Sequence, residues 1–217
     1  MNNLKKDIKT FSDRWKITWN FFLDMEKELK EKLDKMYDDI RPIVQDLDNN
    51  ILQQFRDVHR IYTSLFRGGM LIQFCSLVEY TMGQVCVLLI PQYENEYKKK
   101  RGNWLKKNLK LLKNNGITDI NSEDILFFCD FITIRNCLVH CGGKIEEYKY
   151  PAKVKNSIKR LQDYGKERNE DISMEKDGYA LLGVDAIPEV VFRGDEIIRK
   201  IFEYGLNNQH NLFDRRI

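Results

Sequence analysis

Proline is scarce in this chain, with four among 217 residues, at positions 42, 91, 151 and 188. Between them, apolar residues return every third or fourth position, the period of a helix with one buried face. Leu4, Ile8, Phe11, Trp15, Phe22, Leu29, Leu33, Met36 and Ile40 draw a first stripe, which Arg41-Pro42 is expected to stop. Ile43, Leu47, Ile51, Phe55, Val58, Tyr62 and Leu65 draw a second, and Gly68-Gly69 reads as a break before a third helix. From Met70 to Ile90 the sequence is apolar on nearly all sides, as the central helix of a bundle would be, and Pro91 closes it.

The expected fold class is therefore all-α, an antiparallel helical bundle with a long N-terminal helical arm over residues 1–62. Val154, Ile158 and Leu161 mark a further helix, and Pro188 to Leu206 returns to helical spacing. Residues 171–184 alternate around Asp177-Gly178, the pattern of a small β-hairpin. Residues 207–217 read as a frayed tail.

With 42% hydrophobic residues the chain can bury a substantial core, and its net charge of +3 lacks the global basicity of a DNA-coating protein. Charge is instead segmental. Between Pro91 and Ile117, eight bases (Lys98, Lys99, Lys100, Arg101, Lys106, Lys107, Lys110 and Lys113) face two acids, whereas Thr118 to Tyr150 is net acidic. Trp104, Leu105, Leu109 and Leu112 give the basic segment one apolar face, so its lysines should project as a stripe along which a phosphate backbone could lie. The same run would also serve as a solvated helix face.

Five cysteines, at 75, 86, 129, 137 and 141, form no CxxC pair and sit mostly in apolar helical stretches. They read as small hydrophobes in a reducing cytoplasm. Met1 to Thr10 lacks the apolar stretch of a secretory signal. Gln73, Glu79 and Gln84 interrupt Leu71 to Ile90, the mark of a core helix and not of a membrane partner. The signatures G-x-x-x-x-G-K-[ST], G-x-G-x-x-G and G-x-S-x-G are absent, which sets aside P-loop, dinucleotide and serine-hydrolase chemistry.

Arg135-Asn136-Cys137-Leu138-Val139-His140 concentrates the chemistry. A helix opening near Asn121-Ser122-Glu123-Asp124 would end at Cys141-Gly142-Gly143, where glycines permit a left-handed cap that leaves His140 near solvent. Asn136 and His140, four apart, share a face, while Arg135 lies roughly 140° around the axis from His140. Carbonyls of the last turn favour positive charge there. His59 and His210 have no such neighbours and read as structural. Cys137, His140 and Cys141 lack a second ligand pair at zinc spacing, so no metal and no cofactor is expected.

The pattern Arg135-Asn136-x-x-x-His140 resembles the RN-x-x-x-H signature of HEPN domains. Arg67-Gly68-Gly69-Met70-Leu71-Ile72, running to Leu77-Val78-Glu79, resembles the first core helix of bacterial defence-associated members, including the RiboL-PSP type. The likeness spans about residues 63–206. It implies a helical bundle that forms a homodimer with two motifs facing one cleft and cuts RNA without metal, in a toxin–antitoxin or phage-defence setting with an antitoxin or regulatory protein as restraining partner. Arg135 would clamp the phosphate, His140 would move protons, and Asn136 would either orient His140 or touch the phosphate. Glu79, the only acid from Thr63 to Ile90, would support Arg135 or simply face solvent. Lys98, Lys99, Lys100, Arg101, Lys106, Lys107, Lys110 and Lys144 would bind the RNA backbone. The alternative is a non-catalytic HEPN scaffold that binds RNA or a protein.

Overall fold

The computed structural model describes residues 2–44, 49–90, 92–99, 104–116, 122–164, 172–174, 178–183 and 186–207. The chain is predominantly helical. In order come α1 (Asn2–Val44), α2 (Asn49–Leu89), α3 (Tyr93–Lys99), α4 (Trp104–Asn114), α5 (Ser122–Cys141), a 3₁₀ turn (Ile145–Glu147) and α6 (Pro151–Tyr164). A hairpin of β1 (Ile172–Met174) and β2 (Ala180–Leu182) precedes α7 (Ala186–Asn207). The strands pair antiparallel, with Ile172 opposite Leu182 and Met174 opposite Ala180. The expected N-cap Asn121, the closing Pro91 and the tail beyond residue 207 lie outside the described residues.

Two helix boundaries depart from expectation. Pro42 sits within the last turn of α1 instead of ending it, so the helix gives up the one bond that an N–H at this position would have made to the carbonyl four residues back. Gly68-Gly69 does not break the chain either, because α2 runs through both. A glycine costs a helix only about 1 kcal/mol, and Gly68 uses its missing side chain. A Cβ there would lie 3.5 Å from both methyls of Leu138, so α2 can approach α5 closely at this point.

The described residues fall into two compact units, each built from separate stretches: Met1–Asn20, Phe74–Cys129 and Phe192–Ile217, then Phe21–Gln73 and Asp130–Val191. Residue 62, the expected end of the arm, lies inside α2.

In the first unit the early stripe is buried at Ile8 and Trp15. Trp15 Nε1 donates to Asp195 Oδ1 at 2.9 Å, which satisfies the one polar atom that a buried indole carries. Its ring lies 5.9 Å from that of Phe74, which in turn meets Phe128 edge-on at 6.4 Å. Gly194 passes over this aromatic pair, where a Cβ would stand 2.8 Å from the Phe74 ring. On α4, Leu105, Leu109, Leu111 and Leu112 are buried, and Asn108 is buried with them. The phenol of Tyr93 donates to Asn108 Oδ1 at 2.7 Å, so the amide oxygen is satisfied.

In the second unit a buried ion pair fastens α1 to α2. Arg67 Nε and Nη2 donate to Glu26 Oε1 at 2.9 and 2.7 Å, and both side chains are almost wholly enclosed. A further network fastens α5 to α6: Asp130 Oδ1 accepts from Ser157 Oγ at 2.8 Å, and Asp130 Oδ2 accepts from Arg160 Nε at 2.8 Å. The hairpin is attached to α2 through the backbone N–H of Leu182, which donates to Ser64 Oγ at 2.9 Å.

The second apolar stripe exists but faces outward. Val58 is 52%, Tyr62 70% and Leu65 57% exposed, whereas Thr63, Ser64, Arg67 and Gly68 occupy the buried side of the same helix. Among the described residues α2 alone is long and apolar enough to cross a membrane, and 44% of that apolar window is buried within the fold.

Arg67→Met should leave the Glu26 carboxylate enclosed without its guanidinium and lower the unfolding free energy by about 3–5 kcal/mol. In urea titrations the double change Glu26→Leu with Arg67→Met should lose much less than Arg67→Met alone.

Candidate active site at the end of α5

Within the second unit, α5 carries Arg135, Asn136 and His140 on its last two turns. Cys141 ends the helix, and the two glycines close it as a left-handed cap, with φ of +57° at Gly142 and +89° at Gly143. The N–H of Gly142 donates to the carbonyl of Leu138 at 3.0 Å, and that of Gly143 reaches back to the carbonyl of Cys137 at 3.3 Å. Carbonyls otherwise orphaned at a helix end thus find partners. Gly143 is also enclosed: a Cβ would meet Leu138 Cδ2 at 3.3 Å and the carbonyl oxygen of Ala180 at 3.6 Å.

The hairpin locks this exit. Ala180 N–H donates to the Gly143 carbonyl at 3.0 Å, Ile145 N–H donates to the Gly178 carbonyl at 2.9 Å, and Lys144 bridges Tyr179 between them. The chain leaves the motif along the hairpin, so no continuing helix covers His140. Its imidazole is exposed, and among the described residues no hydrogen bond holds either ring nitrogen.

Arg135 and Asn136 are half-buried beside it. Arg135 Nη1 donates to Asn136 Oδ1 at 3.0 Å, so the amide oxygen holds the guanidinium and not the imidazole. Of the two expected roles for Asn136, orienting His140 has no hydrogen bond to support it here. Its NH₂ group is a hydrogen-bond donor. α5 is regular through Cys141, so the motif is ordered by its cap and not by fraying of the last turn.

The neighbouring thiols differ. Cys137 is buried, and burial first, then the Cys141 thiol, pushes its pKa up to about 11. A thiol so raised is a poor nucleophile and a poor metal ligand. No group of three His, Cys, Asp or Glu converges as a metal site among the described residues.

The remaining expected residues are scattered. Lys144 is exposed, pairs with Glu147 at 3.1 Å, and lies 5.9 Å above the Tyr179 ring. In the first unit, Lys106 and Lys110 are exposed on α4, while Lys107 rests its ammonium 3.8 Å over the Tyr97 ring. That cation–π contact partly commits Lys107. Lys98 and Lys99 end α3, their side chains outside the described residues, as are Lys100 and Arg101 entirely. Glu79, also in the first unit, is half-buried and near enough to the Tyr93 and Tyr97 phenols to help raise both, after burial.

Sequence reasoning missed Tyr179, Ala180 and Gly178 as the braces of the motif, because strand pairing across more than thirty residues leaves no local signal. It also drew Val58, Tyr62 and Leu65 as an apolar stripe of the helical arm without foreseeing that the stripe faces outward. A signal for this orientation was present, since Arg67 and the small residues Ser64 and Gly68 share the opposite face.

Comparison with known protein families, with curated proteins and with solved structures finds no match to this chain.

Gly143→Ala would force a side chain into a left-handed backbone and against Leu138. It should lower stability by about 1–2 kcal/mol, read as a fall in the thermal midpoint.

Proposed function

We propose that this chain is a metal-independent endoribonuclease of the HEPN kind, cytoplasmic, and working in a toxin–antitoxin or phage-defence system under the restraint of a protein partner. The observation that carries this reading is an exposed imidazole, without a hydrogen bond among the described residues, one helical turn from a half-buried Arg–Asn pair. RNA needs little more than this. Its 2′-OH is the nucleophile, so the protein must take that proton, give one to the departing 5′ oxygen, and neutralise charge on the phosphate.

In this mechanism His140 accepts the 2′ proton while the 2′ oxygen attacks phosphorus, and the bond from phosphorus to the 5′ oxygen breaks as that oxygen gains a proton. The products are a 2′,3′-cyclic phosphate and a 5′-hydroxyl. Arg135, fork-shaped and permanently charged, binds the non-bridging oxygens. One imidazole per chain cannot serve as base and acid in the same step, so a second copy supplies the other His140. The surface that supports such a homodimer is the outward stripe of Val58, Tyr62 and Leu65. Leu65 lies one turn from Gly68, and Gly68 faces Leu138, two residues before the imidazole.

The scaffold reading draws on the Arg135–Asn136 hydrogen bond, which a substrate phosphate would have to share or displace.

Wild type should cut single-stranded RNA in EDTA and leave 2′,3′-cyclic phosphate ends, and His140→Ala should abolish this. Arg135→Lys should slow it at least about tenfold. Equal, negligible cutting by wild type and His140→Ala would identify the scaffold, and 3′-hydroxyl ends would contradict attack by the 2′ oxygen. Leu65→Glu should shift the chain to a monomer in light scattering and remove cleavage with it. A dimer undisturbed by that change would place the partner elsewhere.

A further inference from the structure

A concave site lies in the second unit, between the C-terminal part of α1 and the N-terminal part of α2. Its volume is about 370 Å³, within the range of small-molecule sites. Ile40, Leu52 and Phe55 form its apolar lining, all three only partly exposed. The Tyr37 ring forms a further wall and is held in place: its hydroxyl lies 3.3 Å from His59 Nδ1, and the two rings meet edge-on at 4.7 Å. Burial, and then the charge of Arg67, lowers the pKa of His59, so this imidazole is a neutral support.

The polar members of the lining are Arg41, Arg56 and Asp38, all exposed. Neither guanidinium forms an ion pair or hydrogen bond among the described residues. Two forked, donor-only groups suit a phosphate. Asp38 is acceptor-only and would repel a bare anion, so it favours a ligand that also carries hydroxyl donors. The aromatic and aliphatic walls suit a flat ring. A fatty acid has no donor for Asp38, and inorganic phosphate has no ring for Tyr37 and Phe55.

We infer that this cleft binds a free nucleoside monophosphate, with the phosphate on Arg41 and Arg56, the ribose hydroxyls on Asp38, and the base between Tyr37 and Phe55. The site is independent of the nuclease reading and stands or falls without it.

Equilibrium dialysis of the full chain with adenosine 5′-monophosphate tests the assignment. One saturable site per chain is expected, with a Kd below about 1 mM. The double variant Arg41→Gln with Arg56→Gln should weaken binding at least about tenfold without moving the thermal midpoint, since both side chains are exposed. Adenosine and inorganic phosphate should each bind at least about tenfold more weakly than the nucleotide, and His140→Ala should leave binding unchanged. The inference is overturned by the absence of saturable nucleotide binding, by equal binding to the double variant, by phosphate matching the nucleotide, or by loss of binding in His140→Ala.

Discussion

Where a helix stops, its last carbonyls must find donors, and at the end of α5 that requirement governs what the motif can be. The donors are the backbone N–H groups of Gly142 and Gly143, which reach the Leu138 and Cys137 carbonyls only because both glycines adopt positive φ. This geometry turns the chain away from the helix axis and delivers the Gly143 carbonyl to Ala180. The exposure of His140 follows from that turn. So does the role of the hairpin, which is too short to be stable alone and exists by pairing with the segment it braces.

The second unit divides its labour across α2. One side of the helix holds the buried Arg67–Glu26 pair, Ser64 against the hairpin and Gly68 against Leu138. The other presents apolar side chains to solvent. A polar interior face is tolerated because each group has a geometrically defined partner, a bidentate carboxylate in one case and a backbone N–H in another. Such contacts set the register of α1, α2 and the hairpin more sharply than apolar packing would, since a slip of one residue would strand a charge.

Much of the architecture was legible in residue order. Helical spacing located α4, α6 and α7, Val154, Ile158 and Leu161 are buried as their period required, and Gly142-Gly143 marked a cap before any coordinates. What misled was local grammar without tertiary context. Gly68-Gly69 reads as a break, yet close approach to Leu138 gives Gly68 a reason to lie inside a helix. The stripe through Val58, Tyr62 and Leu65 has the right period but says nothing about which side is the interior. That was decided by Arg67, whose partner Glu26 is 41 residues away. Of the candidate site, the three motif residues and the open exit were readable. The Arg135–Asn136 hydrogen bond was not, because adjacent side chains on a helix do not ordinarily face each other.

Beneath the motif, Cys137 has one more consequence. Burial pushes its pKa up to about 11, so this thiol is a poor nucleophile towards peroxides and alkylating agents. Cys141, one residue beyond the imidazole, is partly exposed. Oxidative damage to this region would therefore begin at the rim, and a polar adduct there would crowd the ring from outside while the packing below stayed intact.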